Sequence, residues 1–291
     1  MGHSHHHHTD LADGVSGHRR KLAVVLGLTT TALLVELVGA AVSGSLALLA
    51  DAGHALTDAA GLTLALVAAV LAQRPATPQR TWGYRRAEVL AAAAQAAVLL
   101  AVGLFVLVEG IRRLLDPPEV ASTAMLVFGL VGLVVNGAAI AVLAGERGST
   151  LNMRAAFLEV VNDALGSAAV LLAAGAIAVL GWQRADAVAS LVIGGLILPR
   201  TWRLLRETVD VLLEATPKGL DLDDVRAHIL QLPHVRDVHD LHASQVSSDL
   251  PVLSAHVVVD DGCFHDGHVP QILDQLQQCV ASHHGISVEH S

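Results

Sequence analysis

His54 and Asp58 stand four residues apart in SLALLADAGHALTDAAGLTLALVAAV (45–70), a run that is otherwise almost wholly apolar. On a helix that spacing puts an imidazole and a carboxylate on one face. Glu159 and Asp163 repeat the spacing in a second apolar run, 155–180. Two helices that each offer such a pair can meet and supply four ligands, the number a tetrahedral divalent cation takes. Imidazole and carboxylate together suit Zn2+ and the other first-row divalents. Ionisable groups are expensive at membrane depth, where they face a partner, a cavity or an ion. Glue between helices would account for one of them; two matched pairs, in a chain with only 15% charged residues, point to an ion site. Three carboxylates packed together bind either a cation or protons, so metal carried one way can exchange for protons carried the other. Asp51, three residues before His54, and Asn162, beside Asp163, are candidates to orient these ligands. Glu36 fits that role and helix packing equally. For Asn136 and Asn162, interhelical hydrogen bonding is the stronger reading.

The elements that must position these residues are membrane helices. The chain has 291 residues, 53% hydrophobic, and a mean hydropathy of +0.55. That excludes an ordinary soluble domain. Apolar stretches of about 20 residues, long enough to span, fall at 22–42, 46–72, 87–109, 121–144, 155–180 and 187–205. Arg19, Arg20, Lys21, Arg74, Arg80, Arg85, Arg86, Arg147, Arg154, Arg200, Arg203 and Arg206 fall on one side, against Arg112, Arg113 and Arg184 on the other. The Lys/Arg rule then puts both termini in the cytoplasm. No cleavable signal is expected, because the first apolar run is long and follows a polar leader. The expected plan is a His-rich disordered leader (1–20), a six-helix transport domain (21–210) and a small cytosolic metal-binding and dimerisation domain (211–291). The leader MGHSHHHH reads as either a native metal-binding tract or a tag. A net charge of −9 is no nucleic-acid signature.

The tail reads α-β-β-α-β, an open α+β sandwich. Its helices are expected at 220–232 and 269–282, its strands at 235–246 and 252–259, and a last strand from Ile286. With 17 histidines in the chain and ten of them here, a regulatory or dimer-bridging metal site in the tail is plausible chemistry. His239, His242, His256 and His283 are the candidates; Cys263 with His265 and His268 is a weaker grouping. Cys263 and Cys279 imply no disulfide framework.

SLALLADAGHALTD, WGYRRAEVLAA, VEGIRRLLDPPEV, NMRAAFLEVVNDALGS, VHDLHASQ and LSAHVVVD together resemble the cation diffusion facilitators, over nearly the whole chain. The resemblance implies a six-helix, all-α membrane domain with ferredoxin-like cytosolic domains, assembled as a Y-shaped homodimer in the cell membrane. It implies efflux of Zn2+, or a similar divalent, by proton antiport. The family's transport ligands fall on His54, Asp58, Glu159 and Asp163. Zinc-type members usually have His where this chain has Glu159, a harder and charged ligand, which opens selectivity to Cd2+, Co2+, Mn2+ or Fe2+. The loop 73–86 has no His, Asp, Glu or Cys, so no site is expected there. The family's cytosolic site falls best on His239 and His256, with part of its motif expected beyond Ser291. Two competing readings are a membrane-anchored metal sensor and an intramembrane metalloenzyme. No HExxH motif supports the enzyme, and the chain is read as a transporter.

Overall fold

A computed structural model describes residues 7–145, 151–247, 250–265 and 267–282, with side chains described from Val24 onward except 151–153, 155 and 280–282. Its helices are α1 (His7–Ser43), α2 (Leu46–Ala72), α3 (Ala87–Leu115), α4 (Ser122–Leu143), α5 (Leu151–Leu180), α6 (Arg184–Leu212), α7 (Leu222–Leu230) and α8 (Val269–Ser282). Strands β1 (Val235–Ser247) and β2 (Leu250–Val259) lie between α7 and α8. Helices α1 to α6 are long and apolar enough to cross a membrane. Many of their large apolar side chains point outward, Leu172 at 77% exposure and Val179 at 82%. A soluble monomer does not tolerate such a surface, whereas lipid covers it at no cost.

Three boundaries differ most from the sequence expectation. Helix α1 begins at His7, so residues 7–20 are helical where a disordered leader was expected. Extending a formed helix adds one hydrogen bond per residue fixed and avoids a new nucleus. Helices α3 and α6 run on to Leu115 and Leu212, past their apolar stretches. Their added turns carry Arg112, Arg113 and Arg206; Arg is a good helix former whose long side chain reaches water from an apolar stem. The histidines of residues 1–6, His283 and the strand expected from Ile286 lie outside the described residues.

The chain forms two compact units, residues 1–60 with 97–202 and residues 61–96 with 203–291. In the first, α4 packs against both α1 and α5 around Leu48, Val106, Met125, Val170, Ile177 and Ile193. In the second, β1 and β2 pair antiparallel with His239 opposite His256. Val225 and Ile229 of α7 close over Val238 and Leu241 of β1. The α7 N-terminus is capped by the Asp221 carboxylate, which accepts from the Asp223 and Asp224 amides.

One corner of the first unit sets where α2 begins. Gly44 takes a left-handed φ of 70° between α1 and α2, a conformation glycine adopts without strain. Ser45 then caps α2: its Oγ accepts from the Leu48 amide at 3.1 Å and its hydroxyl donates to Asp186 at 2.5 Å. The same carboxylate accepts from the Leu46 amide at 2.8 Å and the Ala47 amide at 3.1 Å. Arg113 reaches it at 3.7 Å and donates to the Gly44 carbonyl at 2.7 Å. Asp186 also occupies the first turn of α6, so one anion serves the positive ends of two helices.

Asp186→Asn replaces an acceptor-only group by one that presents an N–H to buried N–H donors. Leaving a buried donor unsatisfied costs about 1–3 kcal/mol, so thermal unfolding in detergent is expected to begin several degrees lower. Ser45→Ala is expected to cost about 1 kcal/mol. An unchanged unfolding temperature for Asp186→Asn would show that this corner does not hold α2.

Candidate metal centres

Helix α2 places Asp51, His54 and Asp58 along one side at i, i+3, i+7, and α5 places Glu159, Asp163 and Ser167 along one side at i, i+4, i+8. His54 Nε2 lies 3.4 Å from Asp58 Oδ2, with both side chains mostly buried. His54 Nδ1 is buried without a hydrogen-bond partner, a costly position for a nitrogen unless something else meets it. Asp58 is within electrostatic range of both Glu159 and Asp163. Glu159 is the exposed member of the four, and Arg200 of α6 acts on it as an opposing charge. No three of these four residues bring ligand atoms within 4.8 Å of one another. A cation between them would offset the mutual repulsion of the three carboxylates. Asn162 is exposed, about 100° around the helix from Asp163.

Asp51 is buried at 5% exposure, Glu36 at 3% and Asn136 at 1%. They line one cleft with Asp163. Ser167 ties them together: its Oγ is 3.4 Å from Glu36 Oε1, 3.4 Å from Asp51 Oδ2 and 3.4 Å from Asn136 Nδ2. Two glycines make room. A Cβ on Gly166 would collide with the Asp51 carboxylate, and one on Gly132 would sit 3.1 Å from Glu36 Oε1. Ser167 was not singled out in the sequence, although its i+4 relation to Asp163 was there to read.

In the second unit, His239, Asp240 and His256 bring one ligand atom each within 4.8 Å of one another, all three exposed. Asp240 Oδ2 lies 3.3 Å from His239 Nδ1 and 3.2 Å from His256 Nδ1. The hydrogen bond from His239, helped by His256, holds the Asp240 carboxyl below the usual aspartate range. A break in the strand register between His239 and His242 and a left-handed φ of 50° at Asp240 turn this carboxylate toward the histidine pair. His242, opposite Ser254, is not a member of the cluster. Asp240 was missed in the sequence because a carboxylate between two strand residues normally points to the other face. Asp260 is likewise held below its usual range by Arg236 first and His234 second, an ion-paired corner rather than a ligand set.

Comparison with known proteins agrees with this architecture. Residues 22–213 match the cation efflux transmembrane domain, and residues 217–289 match the cation efflux protein cytoplasmic domain. The metal cation efflux system protein CzcD of Cupriavidus metallidurans is 40% identical over 96% of this chain and 85% of its own length. The cadmium, cobalt and zinc/H(+)-K(+) antiporter of Bacillus subtilis is 37% identical over 90% and 82%. The zinc transporter ZitB of Escherichia coli is 38% identical over 100% and 91%. A chain that matches over both its membrane helices and its tail belongs to the cation efflux family, the cation diffusion facilitators, a family of multi-pass metal transporters.

Proposed function

We propose that this protein exports a divalent cation, Zn2+ first, in exchange for protons. The observation that carries the reading is the pair of matched ligand sets, His54 and Asp58 on α2 and Glu159 and Asp163 on α5, in electrostatic range of one another inside otherwise apolar helices. The cation is the cargo: the four residues take it from one side, release it to the other, and bind protons on the return. The names of the relatives, a zinc transporter and a cadmium, cobalt and zinc antiporter, support a zinc-like cargo and a counter-flow of protons. The Lys/Arg bias supports a cell-membrane protein with both termini in the cytoplasm. The domain division at 20/21 and 210/211, the homodimer and the absence of enzymatic activity belong to the same reading. Export of another divalent, Cd2+, Co2+, Mn2+ or Fe2+, by the same route is the alternative; the hard Glu159 carboxylate favours the harder ions of that set, Mn2+ and Fe2+.

The tail site follows the same logic. His239, Asp240 and His256 offer three ligands at an exposed surface, and a second copy of the chain, or His283, would complete a closed zinc shell. A membrane-anchored sensor would use this site alone and move no ion.

Proteoliposomes with an internal metal dye and an internal pH dye separate these readings. Metal and protons are expected to move in opposite directions in the wild type. Removing a supporting group around a metal costs about 10–100-fold, so Asp163→Ala, which removes a ligand, is expected to lower both fluxes by more than about 100-fold. Glu159→His is expected to keep transport and raise the preference for Zn2+ over Mn2+ by about tenfold. A wild type that moves no metal, with a tail that binds it, would replace the exporter by the sensor.

Zinc at about 100 times its Kd is expected to stabilise the tail by about 2.7 kcal/mol. His239→Ala with His256→Ala should abolish that shift, measured as the zinc-dependent rise in thermal unfolding temperature. The shift should also shrink on acidification, because protons compete with metal for imidazole nitrogen. A shift that survives the double substitution would move the tail site elsewhere.

A further inference from the structure

Glu36, Asp51 and Ser167 bring together oxygens from α1, α2 and α5; Asn136 of α4 donates its Nδ2–H to Ser167 Oγ and lines the same cleft as Glu36, Asp51 and Asp163. Three features distinguish this group from a chance gathering of acids. Asn136 is buried at 1% exposure, lines the cleft, and leaves its Oδ1 without a hydrogen-bond partner. An orphaned amide oxygen at that depth costs stability unless something positive meets it. Gly132 and Gly166 supply the space in which Glu36 and Asp51 sit against helix backbone. Finally, the Ser167 hydroxyl can donate its one proton to Glu36 or to Asp51, but not to both at once.

The donor set contains no imidazole and no thiolate. Zinc-like metals favour nitrogen and sulfur, whereas carboxylate, amide and hydroxyl oxygens favour hard cations. Oxygens at right angles around an ion, each about 2.4 Å from it, are about 3.4 Å apart; for Mg2+, at about 2.1 Å, they are about 3.0 Å apart. The 3.4 Å separations from Ser167 Oγ to Glu36 and to Asp51 match the larger ion. We propose that Glu36, Asp51, Asn136 and Ser167, with Asp163, form a second, all-oxygen cation site that takes a hard cation of about the size of Ca2+ or Na+. Binding there does not depend on the exporter reading. One consequence does: Asp163 is common to both donor sets, so a hard cation here weakens metal binding at His54 and Asp58, and metal weakens the hard cation by the same factor.

The test uses the full chain in lipid nanodiscs, stripped of metal, with His239→Ala and His256→Ala to silence the tail. Equilibrium dialysis with 45Ca2+ and with 22Na+ is expected to show saturable binding of at least one of them. Asp51→Asn and Ser167→Ala are each expected to weaken it by about tenfold or more, while His54→Ala leaves it within about twofold. Ser167→Ala removes a single hydroxyl, and an unchanged unfolding temperature certifies its fold. The proposal is overturned if neither ion binds, if Ser167→Ala binds as well as its parent, or if His54→Ala abolishes binding, which would put the ion in the α2–α5 quartet. Zn2+ titration of the same samples reads the exporter's site separately, so failure of one reading is not mistaken for failure of the other.

Discussion

A single buried carboxylate, Asp186, holds the start of α2. It accepts from two amides and a hydroxyl at the N-terminus of that helix, is approached by Arg113, and sits in the first turn of α6. At 1% exposure, such a charge is tolerable only because each oxygen has donors around it. The helix it anchors carries Asp51, His54 and Asp58, whose usefulness depends on their rotation toward α5. A helix free to slip by one residue would turn every one of them by about 100°. Fixing the first turn therefore fixes the ligands, which follow within about the next three turns.

The membrane unit then holds two kinds of polar group in one apolar body. One kind sets an imidazole among carboxylates around His54; the other sets two carboxylates and an amide around the Ser167 hydroxyl. The second is accommodated by Gly132 of α4 and Gly166 of α5, where a Cβ would crowd Glu36 and collide with Asp51. Apolar helices gain nothing from the hydrophobic effect on meeting each other in lipid, so close packing and polar contacts decide how they associate. The Ser167 hydroxyl, touching groups on α1, α2 and α4 from α5, does both.

Much of this architecture is legible in the sequence, and the reasons are local. Hydropathy and length mark six helices, and alternation marks β1 and β2, because those signals depend only on neighbours along the chain. The i, i+4 pairs are legible for the same reason. Asp186, Arg113 and Arg200 are not, since each acquires its role from a partner on another helix, and nothing in GWQRAD announces that its aspartate caps α2. Asp240 escaped because its side chain leaves the alternation of β1 at an irregularity of register. His242, also a candidate on the same strand, lies outside the cluster for that same reason. Where α1 begins escaped too, since polar residues that look unstructured alone can prolong a helix already formed.

The cap on α2 has a bearing on how the protein is made. Ser45 and Asp186 are 141 residues apart. At a synthesis rate of about 5–20 residues per second, Asp186 emerges from the ribosome on the order of 10–30 seconds after the helix it caps. During that interval the amides of Leu46 and Ala47 must find water or lipid headgroups in place of their final acceptor. The newborn hairpin of α1 and α2 therefore waits with its polar corner at the membrane surface, and only the arrival of the sixth helix locks it in register.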